Sequence, residues 1–468
     1  MTMRRRGKEK QDGLWIATGD LAKTPGHPFY DRLNRVLAEA GFDEFVEKLC
    51  QAFYVEGKGR PSIPPGTYMR MLLVGFFEGL DSERGIAWRC ADSLSLRQFL
   101  GLGLSESTPD HSSLCRIRQR LSVEAHQEVF TFVLKVLAQK GLLKGRTIGV
   151  DATTLEANAA LRSIVRRDDG TNYHEYLGAL AKASGIETPT REDLARIDKD
   201  RPRKGSNDEW KHPHDPDARI VKLKDGRTHL AHKAEHGVDL DSGAVLAVTV
   251  QEATLGDPTT MKRTIETTIE GVMAVHRDPA CTGNLSARAL REWVADKGYH
   301  SNETMEMVES VGLRSYVSEP RRGRRRWIGR EAARRGTYSN RRRLTTQRGK
   351  RLMRRRGELL ERTFAHALET GGMRRVHLRG RENILKRYLV HVAGFNLSLI
   401  MRTIFGVGTP RGLQDRLATL LAVLRELWIQ FRRWIRMELQ LHARPTLVPC
   451  LAAAGPCQPF NRPSSTGC

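Results

Sequence analysis

The sequence predicts an α/β fold: a mixed five-stranded sheet with flanking helices, preceded by an all-α region. Three observations predict it. Hydrophobic spacing is helical to about residue 142 and turns to β-type alternation from 147. The later elements run strand, strand, strand, helix, strand, helix, strand. Two of those strands, in "TIGVDATTLEAN" and "ALREWVADKGYHS", are expected to end on acids, Asp151 and Asp296.

Residues 28–142 read as helices. "PPGTYMRMLLVGFFEGL" places Pro and Gly ahead of Thr67 as a cap, and "DSERGIAWRCADS" and "SLRQFLGL" follow across short loops. In "STPDHSSLCRIRQRL" Asp110 can cap a helix with Leu114, Ile117 and Leu121 on one face and Arg116, Gln119 and Arg120 on another. The pattern suits a helix-turn-helix-like DNA reader, and equally a bundle helix with a solvated basic face.

After the strand at 147, residues 229–250 read as two strands joined by an Asp-Ser-Gly turn. Asp257 and Pro258 cap and open a helix to about 276. The Asp296 strand follows, then a short helix capped by Asn302, the strand "LRSYVSEP" and the helix "GELLERTFAHALE" (357–369). An RNase H-like core requires this order: a three-strand meander whose first strand is flanked, through right-handed crossovers, by the fourth and fifth. Strands one and four are then neighbours, so Asp151 and Asp296 sit side by side.

Two intervals fall outside that core. Residues 159–224 read as a charged helical insertion followed by a flexible loop. Residues 321–356 hold 17 Lys and Arg against Glu331 alone, a net +16 of the chain's +24. The expected layout is an N-terminal helical, DNA-binding domain over 1–142, a catalytic domain over 143–405 carrying both insertions, an amphipathic helix over 406–443 and a disordered tail from 444.

The charge narrows the partners. Seventy-eight Lys and Arg against 54 Asp and Glu call for a polyanion, foremost nucleic acid. The seven cysteines are scattered without a CxxC pair, which points away from a disulfide framework or zinc site and toward a reducing cytosol. "MTMRRRGKEKQDG" has no apolar run behind it, and stretches such as "MLLVGFFEGL" are too short for a bilayer. A soluble protein is expected.

Paired strand-end carboxylates repel, and a divalent cation resolves the conflict. Mg²⁺ takes oxygen ligands and keeps positions open for water and phosphate; two ions about 4 Å apart can activate a nucleophile and stabilise the leaving oxygen of an in-line phosphoryl displacement. Glu361 is the expected third ligand, with Glu358 and Glu369 as competitors on the same helix. Arg324, Arg325 and Arg326 are expected to contact DNA phosphates. Trp327, set among them, can either stack on an exposed base or pack the loop against the core. His229, His232 and His236 have a metal-like spacing, but 229 and 232 point to opposite faces of a strand.

"GVDATTLEANA", "ADKGYHS" and "ELLERTFAHALETGGMRRVHLRGRENILKRYLVHVAGFNLSLIMR" resemble the three acidic blocks of bacterial insertion-sequence DDE transposases, of the insertion sequence four/five superfamily. Pro64 to Leu121 is similar to their N-terminal helical region, so the likeness spans roughly residues 28–405. It implies Asp151, Asp296 and Glu361 as the DDE triad, with Gly298 and Tyr299 completing a D-x-G-Y block. It also implies Mg²⁺ or Mn²⁺, an RNase H-like core, strand transfer at terminal inverted repeats, double-stranded DNA as partner, a homo-oligomer on that DNA and a bacterial, nucleoid-associated cytoplasmic location. One departure stands out. Many members carry Tyr, two residues, Arg, three residues, Glu, six residues, Lys; here the Tyr, Arg and Lys places hold Arg354, Gly357 and Leu368. Those auxiliary phosphate contacts are not carried over, nor is a hairpin intermediate, and Arg356 and Arg362 are the nearest substitutes. Two alternatives remain at this point: a structure-directed nuclease on the same fold, and a decayed element product that binds DNA without cutting it.

Overall fold

The computed structural model describes residues 26–55, 62–200, 205–223, 226–281, 283–285, 289–321, 323, 325–413, 424 and 427–432. The chain up to Pro410 forms one compact unit. In the second unit, from Arg411, the described residues 424 and 427–432 are helical, and the Trp428 and Phe431 rings lie 6.0 Å apart. Most of the helix expected over 406–443, and all of the tail from 444, lie outside the described residues.

Among the described residues seven α-helices precede the sheet: α1 Pro28–Glu39, α2 Phe42–Cys50, α3 Pro65–Glu78, α4 Glu83–Ala91, α5 Leu94–Phe99, α6 His111–Arg120 and α7 Val123–Gln139. Local chemistry sets their starts. Ser82, Ser93, Asp110 and Ser122 each accept a hydrogen bond from the backbone N–H three residues on. The start of α3 differs from expectation: Pro64 is its N-cap and Pro65 its first residue, so Thr67 is internal and buried. On α6 the apolar Leu114 and Ile117 are buried while Arg116, Gln119 and Arg120 are exposed, as the spacing predicts.

The sheet is built from β1 Thr147–Ala157, β4 Arg219–Lys222, β5 Thr228–Asp239, β6 Val245–Glu252, β7 Glu292–Ala295, β8 Arg314–Val317 and β9 Arg375–Val376. Five strands form its centre. β5 runs antiparallel to both β1 and β6, while β7 lies parallel to β1 and to β8. The resulting order, β6-β5-β1-β7-β8, is the predicted one. β4 extends the outer edge of β5, and β9 pairs with the far end of β1.

Two interposed helices, α10 Asp257–His276 and α11 Asn302–Ser310, carry the crossovers; their caps are Gly256 and Ser301, one residue before Asp257 and Asn302. Helices α12 Glu331–Thr345, α13 Gln347–Ala365 and α14 Arg381–Phe405 follow.

Four expectations are corrected. Asp151 is not a strand end: β1 continues to Ala157 because β5 pairs with it as far as Glu156. Residues 321–356 are not a loop inserted in the core, since α12 and the first half of α13 fill most of the interval. Residues 159–224 contain α8 Tyr173–Ala183, α9 Arg191–Asp200 and a small sheet of β2 Val165–Arg166 with β3 Trp210–Lys211, and the segment expected to be a flexible loop holds Asp215, which is fully buried. Residues 201–204 and 224–225 lie outside the described residues. Finally, the segment "ILKRYLVHVAGFNLSLIMR", which reads as an amphipathic helix in the sequence, lies in α14, and α14 is not amphipathic. Nearly every residue from Ile384 to Met401 is buried, with α3, α7 and β6 all packed on it. It is apolar and long enough to cross a membrane by composition, and it serves here as the core helix.

Candidate active site

Register places the first two acids. Gly149 of β1 is the partner of Val294 of the parallel β7, so two residues on, Asp151 and Asp296 occupy matching positions. There β7 gives way to a tight turn, and Asp296 accepts a hydrogen bond from Gly298 N at 2.8 Å. Asp151 accepts from Ala152 N at 2.9 Å and is paired with Arg356 of α13, Nη1 to Oδ2 at 2.8 Å. Burial lifts the Asp151 carboxyl above its usual range; Arg356 opposes the lift and Asp296 adds to it. The two acids therefore interact, and a guanidinium already stands beside one of them.

Beneath this pair lies a network that sequence reasoning missed. Lys233 Nζ, almost fully buried, contacts Asp257 Oδ1 at 2.6 Å, Thr260 Oγ1 at 2.8 Å and Glu235 Oε1 at 3.2 Å. Glu235 is wholly buried and accepts from the hydroxyls of Thr260, Thr264 and Tyr299. Burial raises the Tyr299 phenol well above its ordinary value, and Glu235, Asp257, Asp151 and Asp296 each raise it further. Gly298 is the joint between them. A Cβ there would overlap Asp257 Oδ2 and stand 3.1 Å from Asp296 Oδ1. The D-x-G-Y block thus has a local cause: the Gly admits two carboxylates and the Tyr ties the turn to β5. A signal was available in "HLAHKAEHGVDL", since charged residues alternating inside a strand buried on both faces must find partners.

The other expected residues are distributed as follows. Glu361 is exposed on α13, five residues beyond Arg356, about 7.5 Å along the axis and roughly 140° around it. It makes no hydrogen bond or ion pair among the described residues. Glu358 is likewise exposed, and Glu369 is paired with Arg374. No group of three or more His, Cys, Asp or Glu converges as a cation site among the described residues. The oxygen donors of Asp151 and Asp296, aligned in register, fit the ligand chemistry of Mg²⁺ or Mn²⁺ as a pair. Arg325 is engaged by Glu319 at 2.6 Å and lies 5.5 Å from the centre of the Trp327 ring, which in turn leans on Tyr338 of α12. Arg326 and Arg362 are exposed, and Arg324 lies outside the described residues. Arg116 bonds Ser112 of its own helix, and Arg120 lies over the Tyr54 ring. His232 is held by the buried Asp215 at 3.1 Å, and His236 by Thr363 and Tyr388.

Arg351 and Arg354 of α13 and Arg335 and Arg342 of α12 are exposed and form no ion pair among the described residues. One continuous helix, α13, therefore carries free cations, the Arg356 that touches Asp151, and Glu361.

Comparison with known proteins bears on what this arrangement is. Residues 19–120 match a family described as a transposase domain (DUF772), and residues 315–401 match one described as a transposase DDE domain. The first match covers α1 to α6 and the second runs from β8 through α13 into α14. No curated protein and no solved structure matches the chain. Enzymes with a DDE domain generally use a divalent metal and act on DNA. The chain thus carries a transposase domain at one end of its compact unit and a transposase DDE domain at the other, and the DDE domain makes it an enzyme of phosphoryl transfer.

Proposed function

We propose that this transposase cuts DNA at the terminal inverted repeats of a bacterial insertion sequence of the four/five superfamily and joins the freed 3′ ends to a target, using Asp151, Asp296 and Glu361. The observation that carries the reading is the register of Asp151 with Asp296 on adjacent parallel strands of a β6-β5-β1-β7-β8 sheet. Mg²⁺ or Mn²⁺, when held by these acids, supplies a Lewis acid for the in-line displacement at phosphorus. The chain's own residues do the rest. Arg356 fixes the Asp151 carboxylate, the Gly298 turn and the Lys233–Asp257 pair fix Asp296, and the exposed arginines of α12 and α13 gather the phosphate backbone. The protein works as a homo-oligomer on its two ends, in a bacterial cytoplasm; the free thiols of Cys50, Cys90, Cys115 and Cys281 are compatible with such a compartment.

The test is a cleavage and joining assay on duplexes carrying the flanking repeats. Wild-type protein with Mg²⁺ is expected to join a cut 3′ end to a second duplex, while Asp151→Asn and Asp296→Asn bind the duplex without cutting it. Cutting without joining would turn the reading into that of a nuclease, and cutting by either variant would refute the assignment of the acids.

A further inference from the structure

A cavity of about 470 Å³ lies where the N-terminal helices meet the far end of β1. Its size is that of a small-molecule site. Five arginines line it, Arg84, Arg118, Arg375, Arg379 and Arg387, against two acids, Asp81 and Glu83. Both acids are already engaged: Glu83 by Arg118 at 2.8 Å and by the Cys115 thiol, and Asp81 by His377 at 3.0 Å.

Depth distinguishes the arginines. Arg84, Arg375 and Arg379 are exposed and form a rim, whereas Arg387 is only 5% exposed and forms the floor. The Arg387 guanidinium donates to Leu80 O at 3.0 Å and has no ion pair among the described residues. A buried cation without its own anion is costly, and an anion entering the cavity offsets that cost. A cavity of this volume has room for a single unpaired nucleotide. One turn along α4 from Arg84, on the same face, Trp88 is 67% exposed. An exposed indole one helical turn from an arginine-lined hollow is the pairing that single-strand binders use, one element for the base and the other for the backbone.

We infer that this cavity binds an unpaired nucleotide of a DNA strand, its phosphate held by Arg375, Arg379 and Arg387 and its base stacked on Trp88. Asn158, on the cavity wall, is seven residues beyond Asp151 along the strand direction, roughly 23 Å. That distance is about seven base steps of one strand, so one DNA end can occupy both places. The inference rests on the transposase reading only in that the chain handles DNA.

The test is binding of a labelled eight-nucleotide oligo-dT by the full chain in EDTA, where no cutting is needed, with a duplex of the same length, dTMP and inorganic phosphate as comparisons. Trp88→Ala is expected to weaken the single strand by roughly 5- to 150-fold. Arg375→Ala with Arg379→Ala should lower the slope of log K against log salt by up to about 0.7, the share of the one phosphate they hold. Duplex affinity should change less than twofold in both variants. A 5-iododeoxyuridine strand should photocrosslink to the peptide containing Trp88. Unchanged single-strand affinity in both variants, or crosslinks confined to α12 and α13, overturns the inference. Displacement of the oligonucleotide by dTMP or phosphate at equal molar concentration also overturns it, by making a free anion the ligand. Because the assay needs no catalysis, strand binding here by a protein that fails to join ends would refute the proposed function alone.

Discussion

Replacing Gly298 by Ala tests the packing that sets Asp296. The added Cβ overlaps Asp257 Oδ2 and comes to 3.1 Å from Asp296 Oδ1, where ordinary contact is about 3.5 Å or more. Asp257 cannot withdraw freely, because its other oxygen is held by the buried Lys233 at 2.6 Å. Either that pair loosens or the turn carrying Asp296 moves. Overpacking of this kind costs about 1–3 kcal/mol, and a displacement on the order of 1 Å at a catalytic group can cost about 100-fold in rate. Gly298→Ala should therefore lower the urea midpoint by the equivalent of 1–3 kcal/mol at unchanged m-value, and slow cleavage of a repeat-bearing duplex by about two orders of magnitude. Asp257→Ala removes the obstacle, and Lys233 keeps Glu235 at 3.2 Å as a partner. The double variant should then be more stable than the sum of the single changes by about 1 kcal/mol or more. A Gly298→Ala protein with wild-type midpoint and wild-type rate would refute the claim that two carboxylates crowd this glycine.

Four further outcomes are expected. Glu361→Gln should abolish cleavage while Glu358→Gln retains it, measured on the same duplex; the reverse result would shift the third acid by one turn of α13. His126 is buried between Ser122 O and the Tyr68 hydroxyl, and burial holds its pKa down to about 4. The unfolded chain takes up the proton near 6.5, so stability should fall as pH drops from about 6.5 towards 4, by up to about 1.4 kcal/mol per unit, and His126→Phe should flatten urea-midpoint profiles over that window. Asp215→Ala, which strands His232 and the Gly380 amide in the interior, should cost about 3 kcal/mol in chemical unfolding. Replacing Arg351 and Arg354 by Ala should reduce the duplex salt slope by about 1.8 without changing sequence preference, as titrations across salt would report.

The strand order was legible because each apolar run stands between recognisable turns, and the Asp-Ser-Gly turn at 241–243 fixes the β5–β6 meander. The alignment of Asp151 with Asp296 followed from that order alone. The end of β1 did not, since Thr153, Thr154 and Glu156 break the apolar run and only the pairing with β5, and with β9 at Glu156, keeps them in a strand. The start of α13 was hidden by its own composition: in "QRGKRLMRRRGELL" the arginines drown the apolar period, and Leu352 and Leu360 are its few buried markers. The Lys233–Asp257–Glu235 network was only half legible: the alternating charges of β5 called for partners, but nothing pointed to Asp257 as one of them. Its members are brought together by the packing of α10 on β5, a tertiary fact with no local trace at Asp257.

The burial of α14 bears on how the protein is made. This helix supplies the surface that α3, α7 and β6 cover, yet among the described residues it is the last helix of the compact unit to be synthesised. While the ribosome is still translating residues before Arg381, the apolar sides of α3, α7 and β6 have no partner, and a nascent chain of that length carries an open, adhesive interior. A chain cut short ahead of α14 is therefore expected to leave those faces uncovered and to be readily proteolysed.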